Sequence, residues 1–467
     1  MPQIGNHYVS KRVTFLVAAD ALILISSVYL AALLRFGYSE FVIDNNFENF
    51  FISACLFSAV ILFSMSALGM YQTELSDRLR ATVLRLMPAF ALGCGLVIVV
   101  FYFLPEFQFG RGILGILLAI SAAGLLLNRL IFSKSTKSNL FESRVMFLGC
   151  GQLAKDCAEL AKSNTTTHRY SVTGFLPTNA GIDDAVVPRP HILEKGASLA
   201  ETAKRYKIDE IVVAVENRRG GGLPIQDLLE CKMNGIRITD TATFFEREAC
   251  QIRVDSVQPS WFVFGGGFDQ SFFRTFCKRI FDLVASIILA VVTLPITLFT
   301  ALWIFLEDRG PIFYKQERVG KDGKTYNVLK FRSMRINAES GGAPQWASKN
   351  DPRVTRIGSI IRKLRIDEIP QIFNVLKGEM SFVGPRPERP FFVDQLCEQI
   401  PYYDVRHSVK PGITGMAQVR YAYGSSVEDA VQKLQYDLYY VKNNSLFLDI
   451  IILIDTIQVV LLGKGAR

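Results

Sequence analysis

The run Leu283-Val-Ala-Ser-Ile-Ile-Leu-Ala-Val-Val-Thr-Leu-Pro295-Ile-Thr-Leu-Phe-Thr-Ala-Leu-Trp-Ile-Phe-Leu306 decides how this chain meets a membrane. It is long enough to cross the hydrocarbon core, which takes roughly 20 apolar residues, yet Pro295 stands in its middle. Proline there removes a backbone hydrogen bond and kinks or breaks the helix, at about 3 kcal/mol. Both flanks are basic: Arg274, Lys278 and Arg279 before, then Arg309, Lys315, Arg318, Lys321 and Lys324 after. A spanning helix would leave one cluster outside, against the tendency of Lys and Arg to stay cytoplasmic. The economical reading is a re-entrant membrane helix hairpin over residues 272–308. It dips into one leaflet, breaks at Pro295 and returns, so that everything after Glu307 stays cytoplasmic. A proline-kinked span is the competing reading.

Four more apolar stretches lie upstream, at about Val13 to Leu34, Phe50 to Met70, Leu84 to Leu104 and Gly112 to Phe132. Each is close to spanning length. The first follows Lys11 and Arg12 as a signal peptide would, but the run is too long and no convincing cleavage site follows, so it reads as a retained span. Arg78, Arg80 and Arg85 lie between the second and third stretches, and Arg129, Lys134, Lys137 and Arg144 at or after the end of the fourth. The loop from Ser39 to Asn49 instead carries Glu40, Asp44 and Glu48. Residues 1–140 are therefore expected to form an α-helical four-span bundle with both ends cytoplasmic. Asp20 could face the bundle interior as a functional charge, but a near-end carboxylate reaching the interface is the expectation.

Composition agrees with partial burial in lipid. The 467 residues are 50% hydrophobic and only 20% charged, with mean hydropathy +0.24, which disfavours extensive disorder. At roughly 150 residues per domain there is room for about three units. The eight cysteines form no CxxC pair and the four histidines are scattered, so a disulfide framework or a zinc site is disfavoured.

From Phe141 the pattern turns to soluble α/β. Val145-Met-Phe-Leu148 reads as a buried strand, and Gly149-Cys-Gly151-Gln-Leu-Ala154 leads into a helix. This fits G-x-G-x-x-A, the turn that brings a backbone close to a pyrophosphate at a helix N-terminus. A second strand near Tyr170 to Phe175 should end in an acidic residue if it gripped a ribose, but Leu176-Pro177 stands there. Further strands fit Glu210 to Val215 and Ile236 to Thr239. Residues 141–250 thus read as a Rossmann-like, degenerate nucleotide-binding domain, structural or regulatory in role. Its possible nucleotide loop is Gly149, Gly151 and Ala154. The glycine-rich stretches at 218–222 and 261–267 read as loops, the second within a linker at 251–271.

The last third, residues 309–467, is basic. Between Arg309 and Arg420 there are 20 Lys+Arg against 11 Asp+Glu, an excess equal to the +9 of the whole chain. Such a field beside a bilayer attracts anionic lipid heads and phosphorylated substrates; no nucleic-acid motif is present. Tyr314 to Val319, a turn at Gly320 to Gly323 and Thr325 to Met334 read as a β-hairpin, with Lys330 and Arg332 on one face, suited to phosphate oxygens. Tyr326 and Lys330 match a YxxxK dehydrogenase pair, which needs helical spacing, so the match reads as chance. Ile357 to Ile366 reads as a helix carrying Arg362, Lys363 and Arg365. A second helix is expected from about Glu368 to Leu376, with Pro370 in its first turn, Gly378 as its stop and Asp367 at or near its cap. The plain reading of Asp367 is an N-cap. The functional one is a carboxylate kept anionic as nucleophile or metal ligand. Pro385-Arg386-Pro387 freezes a turn around one guanidinium.

Lys330-Phe-Arg-Ser-Met334, Lys363-Leu-Arg-Ile-Asp367-Glu368-Ile-Pro-Gln371-Ile-Phe-Asn374-Val-Leu-Lys-Gly-Glu379-Met-Ser381, Val383-Gly-Pro-Arg-Pro387 and Lys410-Pro-Gly-Ile-Thr-Gly415 together resemble the bacterial sugar transferase family, the monotopic phosphoglycosyl transferases. With the upstream spans and the Rossmann-like domain, the chain is similar to its large WbaP-type members. These start exopolysaccharide, O-antigen and capsule assembly at the bacterial inner membrane, with a cytoplasmic catalytic domain. The resemblance implies that Asp367 attacks the β-phosphate of a UDP-sugar, releasing UMP, and that undecaprenyl phosphate then takes the phosphosugar. Glucose or galactose is the implied sugar. Glu368 would partner Asp367 in Mg²⁺ binding or proton transfer. Lys330, Arg332, Arg362, Arg365 and Arg386 would hold phosphates, with Gln371, Asn374 and Gln418 as further substrate contacts, and a homodimer is compatible with the likeness. Met416 departs from the tryptophan of many members, and Gln418-Val-Arg420-Tyr421 from a frequent Gln-Val-Asn-Gly, which puts that loop's substrate role in question. Leu446 to Leu462, interrupted by Asp449 and Asp455, is expected to lie on the membrane surface or pack on the domain. The competing functions are an NAD-dependent membrane nucleotide-sugar dehydratase or epimerase and a noncatalytic assembly scaffold.

Overall fold

The computed structural model describes residues 3–4, 7–8, 11–43, 47–71, 79–136, 142–163, 169–178, 186, 191–194, 196, 198–215, 223–255, 268, 271–335, 353–421, 424 and 426–461. Asp44, Arg78, Lys137 and the loops at 218–222 and 261–267 lie outside the described residues. The chain divides into two compact units, one holding residues 8–249 and the other residues 250–467 with a short N-terminal piece, 4–7.

The first unit opens with α1 (Lys11–Ile43), α2 (Phe47–Ala67), α3 (Leu79–Phe103) and α4 (Arg111–Thr136). Each contains a stretch long and apolar enough to cross a membrane. In α1 the helical conformation is interrupted at Gly37, which takes φ 73. Leu24, Phe57, Ile61, Met65, Leu117 and Leu125 fill the interior, while Phe15, Leu22, Met87, Tyr102 and Leu127 point outward. Helices apolar on every face belong in hydrocarbon. Small residues let them approach: a Cβ on Gly124 would lie 2.6 Å from Ile23, and one on Gly93 2.8 Å from Ile61, as is usual where lipid-embedded helices pack.

Asp20 overturns the interface reading. It is 0% exposed and accepts hydrogen bonds from Tyr71 Oη (2.8 Å), Asn128 Nδ2 (2.7 Å) and Arg129 Nη2 (2.7 Å). A carboxylate with three donors in the bundle has no need to reach for water, so it faces the interior.

The same unit carries four parallel strands, β1 (Glu142–Leu148), β2 (Arg169–Leu176), β3 (Glu210–Val213) and β4 (Arg237–Asp240), in the order β2-β1-β3-β4. Apolar clusters cover both faces, one including Phe147, Cys157 and Phe244, the other Met146, Ile211 and Cys231. A sheet buried on both faces reads as continuous apolar runs, as β1 and β3 do. The order reverses between β1 and β3, and there Gly149 takes φ 122. A Cβ on it would meet the Ala214 carbonyl oxygen at 2.4 Å, so this glycine serves strand-end packing. Gly151 caps the helix Gln152–Lys162, and Ala154 is buried within it. Behind β2 and β3, Arg247 bonds Glu210, Glu248 and Tyr170 in a buried network.

In the second unit a single helix runs from Phe272 to Asp308 with Pro295 inside it. The break expected at Pro295 is thus no gap in helical conformation; proline forfeits one hydrogen bond, and the turns on either side stay helical. Both ends are fastened to one small domain. Near the start, Arg279 donates to the Val375 and Leu376 carbonyls (2.6 and 2.7 Å), and Asp282 accepts from Ser381 Oγ and the Phe382 amide. Near the end, Ile304 packs with Phe331, Ile357, Ile361 and Ile366, and Glu307 accepts from the Ile357 amide. A straight helix would separate Arg279 from Ile304 by ~37 Å at 1.5 Å per residue. Ile366 and Val375, which those ends reach, lie at most ~18 Å apart along their own helical run.

The helix Leu446–Leu461 packs on the same domain, one of the two placements expected for it. Leu448 and Ile452 are fully buried, Asp449 pairs with Lys278 at 2.6 Å and accepts from Tyr440 Oη, and Asp455 pairs with Arg420.

Candidate active site

The hairpin forms as its alternation predicts. β5 (Phe313–Val319) and β6 (Thr325–Phe331) are antiparallel, with Tyr314 opposite Lys330 and Arg318 opposite Tyr326. Tyr326 and Lys330 therefore lie on a strand, where four residues do not make the helical neighbours a dehydrogenase needs. Arg332 follows the strand and is buried, and its amide donates to the Ile312 carbonyl.

Beyond the hairpin, Thr355 Oγ1 accepts from the Gly358 amide and starts the helix Arg356–Lys363. A Cβ on Gly358 would stand 2.0 Å from the Ser333 carbonyl oxygen, so this glycine lets the helix lie directly against the chain leaving β6. Gly358→Ala should cost about 2–4 kcal/mol, the scale of overpacking against backbone. Chemical denaturation checks this, and the same treatment of Gly323, which has open space but φ 74, should cost about 1 kcal/mol.

The chain then turns through Arg365, which takes φ 58. A left-handed conformation in a residue with a side chain costs of order 1–3 kcal/mol and is typical of functional turns. Asp367 is not the cap of an α-helix as expected. It lies within a 3-10 turn, Ile366–Gln371, and the α-helix starts only at Ile372, ending at Gly378 with φ 87. Pro370 has no amide to give an α-helical ladder, and the tighter turn accommodates it. Asp367 Oδ1 is buried and has no hydrogen-bond partner, which removes the plain capping role.

The two carboxylates differ because their surroundings differ. Burial opposes ionisation of Glu368, but Lys330 at 3.2 Å, with Arg365 and Arg386 each at 3.7 Å, holds it down at about 2. Asp367 is pushed up to about 6, first by burial and then by the charge of Glu368, with Lys330, Arg365 and Arg362 opposing. Neighbouring acids driven apart in this way are a usual sign of separate roles. Glu368 fixes the cations, and Asp367 is left with an unsatisfied oxygen.

Arg386 is delivered by a short parallel pair, β7 (Ser381–Val383) and β8 (Gly412–Thr414). Gly384, Gly412 and Gly415 permit the approach: a Cβ on Gly384 would lie 2.3 Å from the Lys410 oxygen, and one on Gly415 2.2 Å from the Gly384 oxygen. Two residues not singled out from the sequence complete the turn. Arg318 Nη1 donates to the Pro387 carbonyl (3.2 Å). Arg406 Nη2 donates to the Arg386 carbonyl (2.9 Å) and to Asp437 Oδ2 (2.8 Å). Both bonds come from Nη2, and Arg406→Lys loses the planar guanidinium that places this nitrogen between the two acceptors. It should raise KM for a phosphorylated substrate about tenfold, corresponding to ~1.4 kcal/mol, with a smaller change in kcat; steady-state kinetics check this.

Lys330, Arg362, Arg365 and Arg386 thus surround the dyad. Asn374 does not fit its expected role. Its Oδ1 accepts from the Leu329 amide, and its Nδ2 donates to the Asn327 carbonyl and Glu379, so this amide braces β6 instead of meeting substrate. Gln371 is buried at the end of the 3-10 turn. Gln418 donates to the Ile413 carbonyl, while its Oε1 is buried without a partner. A metal would find few protein ligands, since no group of three or more His, Cys, Asp or Glu that could hold an ion occurs among the described residues. Mg²⁺ suits such a place because it takes one or two carboxylates and completes its shell with phosphate and water oxygens. Asp367, which among the described residues has no cation within ion-pair distance, fits that need better than Glu368, already shared among three cations.

The sequence model of bacterial sugar transferases matches residues 273–463, and that of a CoA-binding domain matches residues 66–223. An exopolysaccharide production protein, PSS, of Rhizobium leguminosarum bv. phaseoli is 42% identical over 194 residues, which are 40% of this chain and 97% of that protein. The chain belongs to the bacterial sugar transferase family. It is also 50% identical over 192 residues to a UDP-N-acetylgalactosamine-undecaprenyl-phosphate N-acetylgalactosaminephosphotransferase of Aeromonas hydrophila, covering 41% of this chain and 45% of the relative. To an undecaprenyl-phosphate glucose phosphotransferase of Komagataeibacter xylinus it is 44% identical over 194 residues, 40% of this chain and 36% of the relative. In both of these relatives the match spans less than half of the protein.

Proposed function

We propose that this protein transfers a sugar-1-phosphate from a UDP-sugar to undecaprenyl phosphate at the cytoplasmic face of the bacterial inner membrane. The observation that carries this reading is the buried, unpartnered Oδ1 of Asp367 beside a Glu368 fastened by Lys330, Arg365 and Arg386. Asp367 Oδ1 forms a bond to the β-phosphorus, the bond from that phosphorus to the bridging oxygen breaks, and UMP leaves with the electron pair. A phosphate oxygen of undecaprenyl phosphate then attacks the same phosphorus and frees the carboxylate, giving the lipid diphosphate-sugar. Lys330, Arg362, Arg365 and Arg386 hold the phosphate oxygens and offset repulsion between anions. Asp367, through the oxygen that does not attack, with Glu368 as the lesser ligand, would hold Mg²⁺, which supplies charge neutralisation at the diphosphate. The names of the relatives support a hexose, N-acetylated or not, and leave glucose and galactose as two candidates among several.

Four spans with both ends cytoplasmic follow from the charge asymmetry of the loops. Re-entry of the helix Phe272–Asp308 is supported by the fastening of both its ends to one domain and by its apolar middle, where Ile288, Val291, Val292 and Leu298 are exposed. A homodimer is part of the proposal only by family likeness. The test is to incubate the full chain with Mg²⁺, undecaprenyl phosphate and a panel of UDP-sugars. UMP release with one or more of them supports the reading, while UDP release or none at all defeats it.

A further inference from the structure

The bundle buries more hydrogen-bond donors than acceptors at one end. Asp20 is saturated by Tyr71, Asn128 and Arg129. Arg129, 4% exposed, spends Nη2 on Asp20 and lies 5.3 Å over the Tyr71 ring, yet its Nε and Nη1 are buried without an acceptor. Arg85, near the start of the neighbouring α3, has Nη1 buried in the same condition. Asp20 lies toward the start of α1 and Arg129 toward the end of α4, so in an up-and-down bundle these groups share one end. Among the described residues this end thus brings together two guanidiniums and the single carboxylate of Asp20. Buried donors without acceptors are costly, more so when charged, and the missing partner is an anionic oxygen.

We propose that this end of the bundle binds the phosphate head of a membrane lipid, with Arg129 Nε and Nη1 as a two-pronged donor. A lipid fits better than a diffusing ion because the same helices expose Leu22, Met87, Leu127 and Ile131 close by in sequence, a surface for acyl or prenyl chains. The head group could belong to a prenyl phosphate or a glycerophospholipid, which share the phosphate oxygens. The inference does not rest on the catalytic reading.

The full chain would be purified into micelles containing undecaprenyl phosphate alone, phosphatidylglycerol alone, or inorganic phosphate without either, and bound molecules counted by native mass spectrometry. In the double variant Asp20→Asn with Arg129→Gln the pair is removed together, so no carboxylate is stranded. The wild type should hold one phosphate lipid more per chain than this variant in at least one lipid arm, and the arm identifies the source. Arg129→Lys, which keeps the charge and loses the fork, should weaken that lipid about tenfold, and it carries the comparison if the double variant does not fold. Equal lipid counts in wild type and double variant, unchanged affinity in Arg129→Lys, or retention of inorganic phosphate but no lipid would overturn the proposal.

Discussion

Asp367→Asn should abolish turnover and the covalent phosphosugar adduct while making the fold more stable at neutral pH. The first effect follows from the loss of the attacking oxygen, and activity should fall at least ~10³-fold. The second follows from the displaced pKa. With its carboxyl pushed up to about 6, the folded chain binds a proton at pH values where the unfolded chain has released it. Ionised Asp367 therefore costs stability, and that cost grows as pH rises from about 4 through about 6. Asparagine removes it, a gain of order 1–3 kcal/mol at pH 7. Thermal unfolding of the two proteins at pH 5 and pH 7.5 checks the sign, since the difference should be larger at the higher pH. In the wild type the same ionisation should give kcat/KM for adduct formation an acid limb near pH 6, lower if a bound cation favours the anion.

Glu368→Gln should act in the opposite direction on stability. Glu368 is the common partner of Lys330, Arg365 and Arg386, and neutralising it strands the largely buried Lys330, while the half-exposed Arg365 and Arg386 are screened by water, a loss of about 1–3 kcal/mol. Its own carboxyl is held at about 2, so its contribution is present above its ordinary value near 4.5 and is lost as pH falls toward 2. The charge of Glu368 is also one of the two causes that raise Asp367, so the acid limb should move to lower pH in this variant. Turnover should drop ~10²–10³-fold as the phosphate-holding cations lose their placement. Denaturant unfolding and a pH-rate profile together separate this from a simple loss of charge.

Much of the site was legible because its signals are local. The alternation of β6 places Lys330, Gly378 stops the helix after Asp367, and Pro385 and Pro387 frame Arg386. What escaped the sequence depends on partners far along the chain. Asp20 looks like an interfacial carboxylate until Arg129, more than a hundred positions away, is found against it. Asn374 looks like a substrate contact until the hairpin behind it claims its amide. Arg406 and Asp437 carry no motif, and their role arises only where β7 and β8 bring the Arg386 carbonyl within reach. The 3-10 turn at Asp367 was readable in principle, since Pro370 three residues on cannot donate to a continuous α-helix begun earlier.

In the proposed cycle Asp367 carries the phosphosugar between two half-reactions. The most direct measurement mixes the full chain with UDP-sugar labelled in the β-phosphate, with no lipid acceptor present, and follows both UMP and protein-bound label. Release of one UMP per active chain, with the label mapped to Asp367 and discharged on adding undecaprenyl phosphate, is the predicted result. UMP release that waits for the lipid, or label on any other residue, would contradict it.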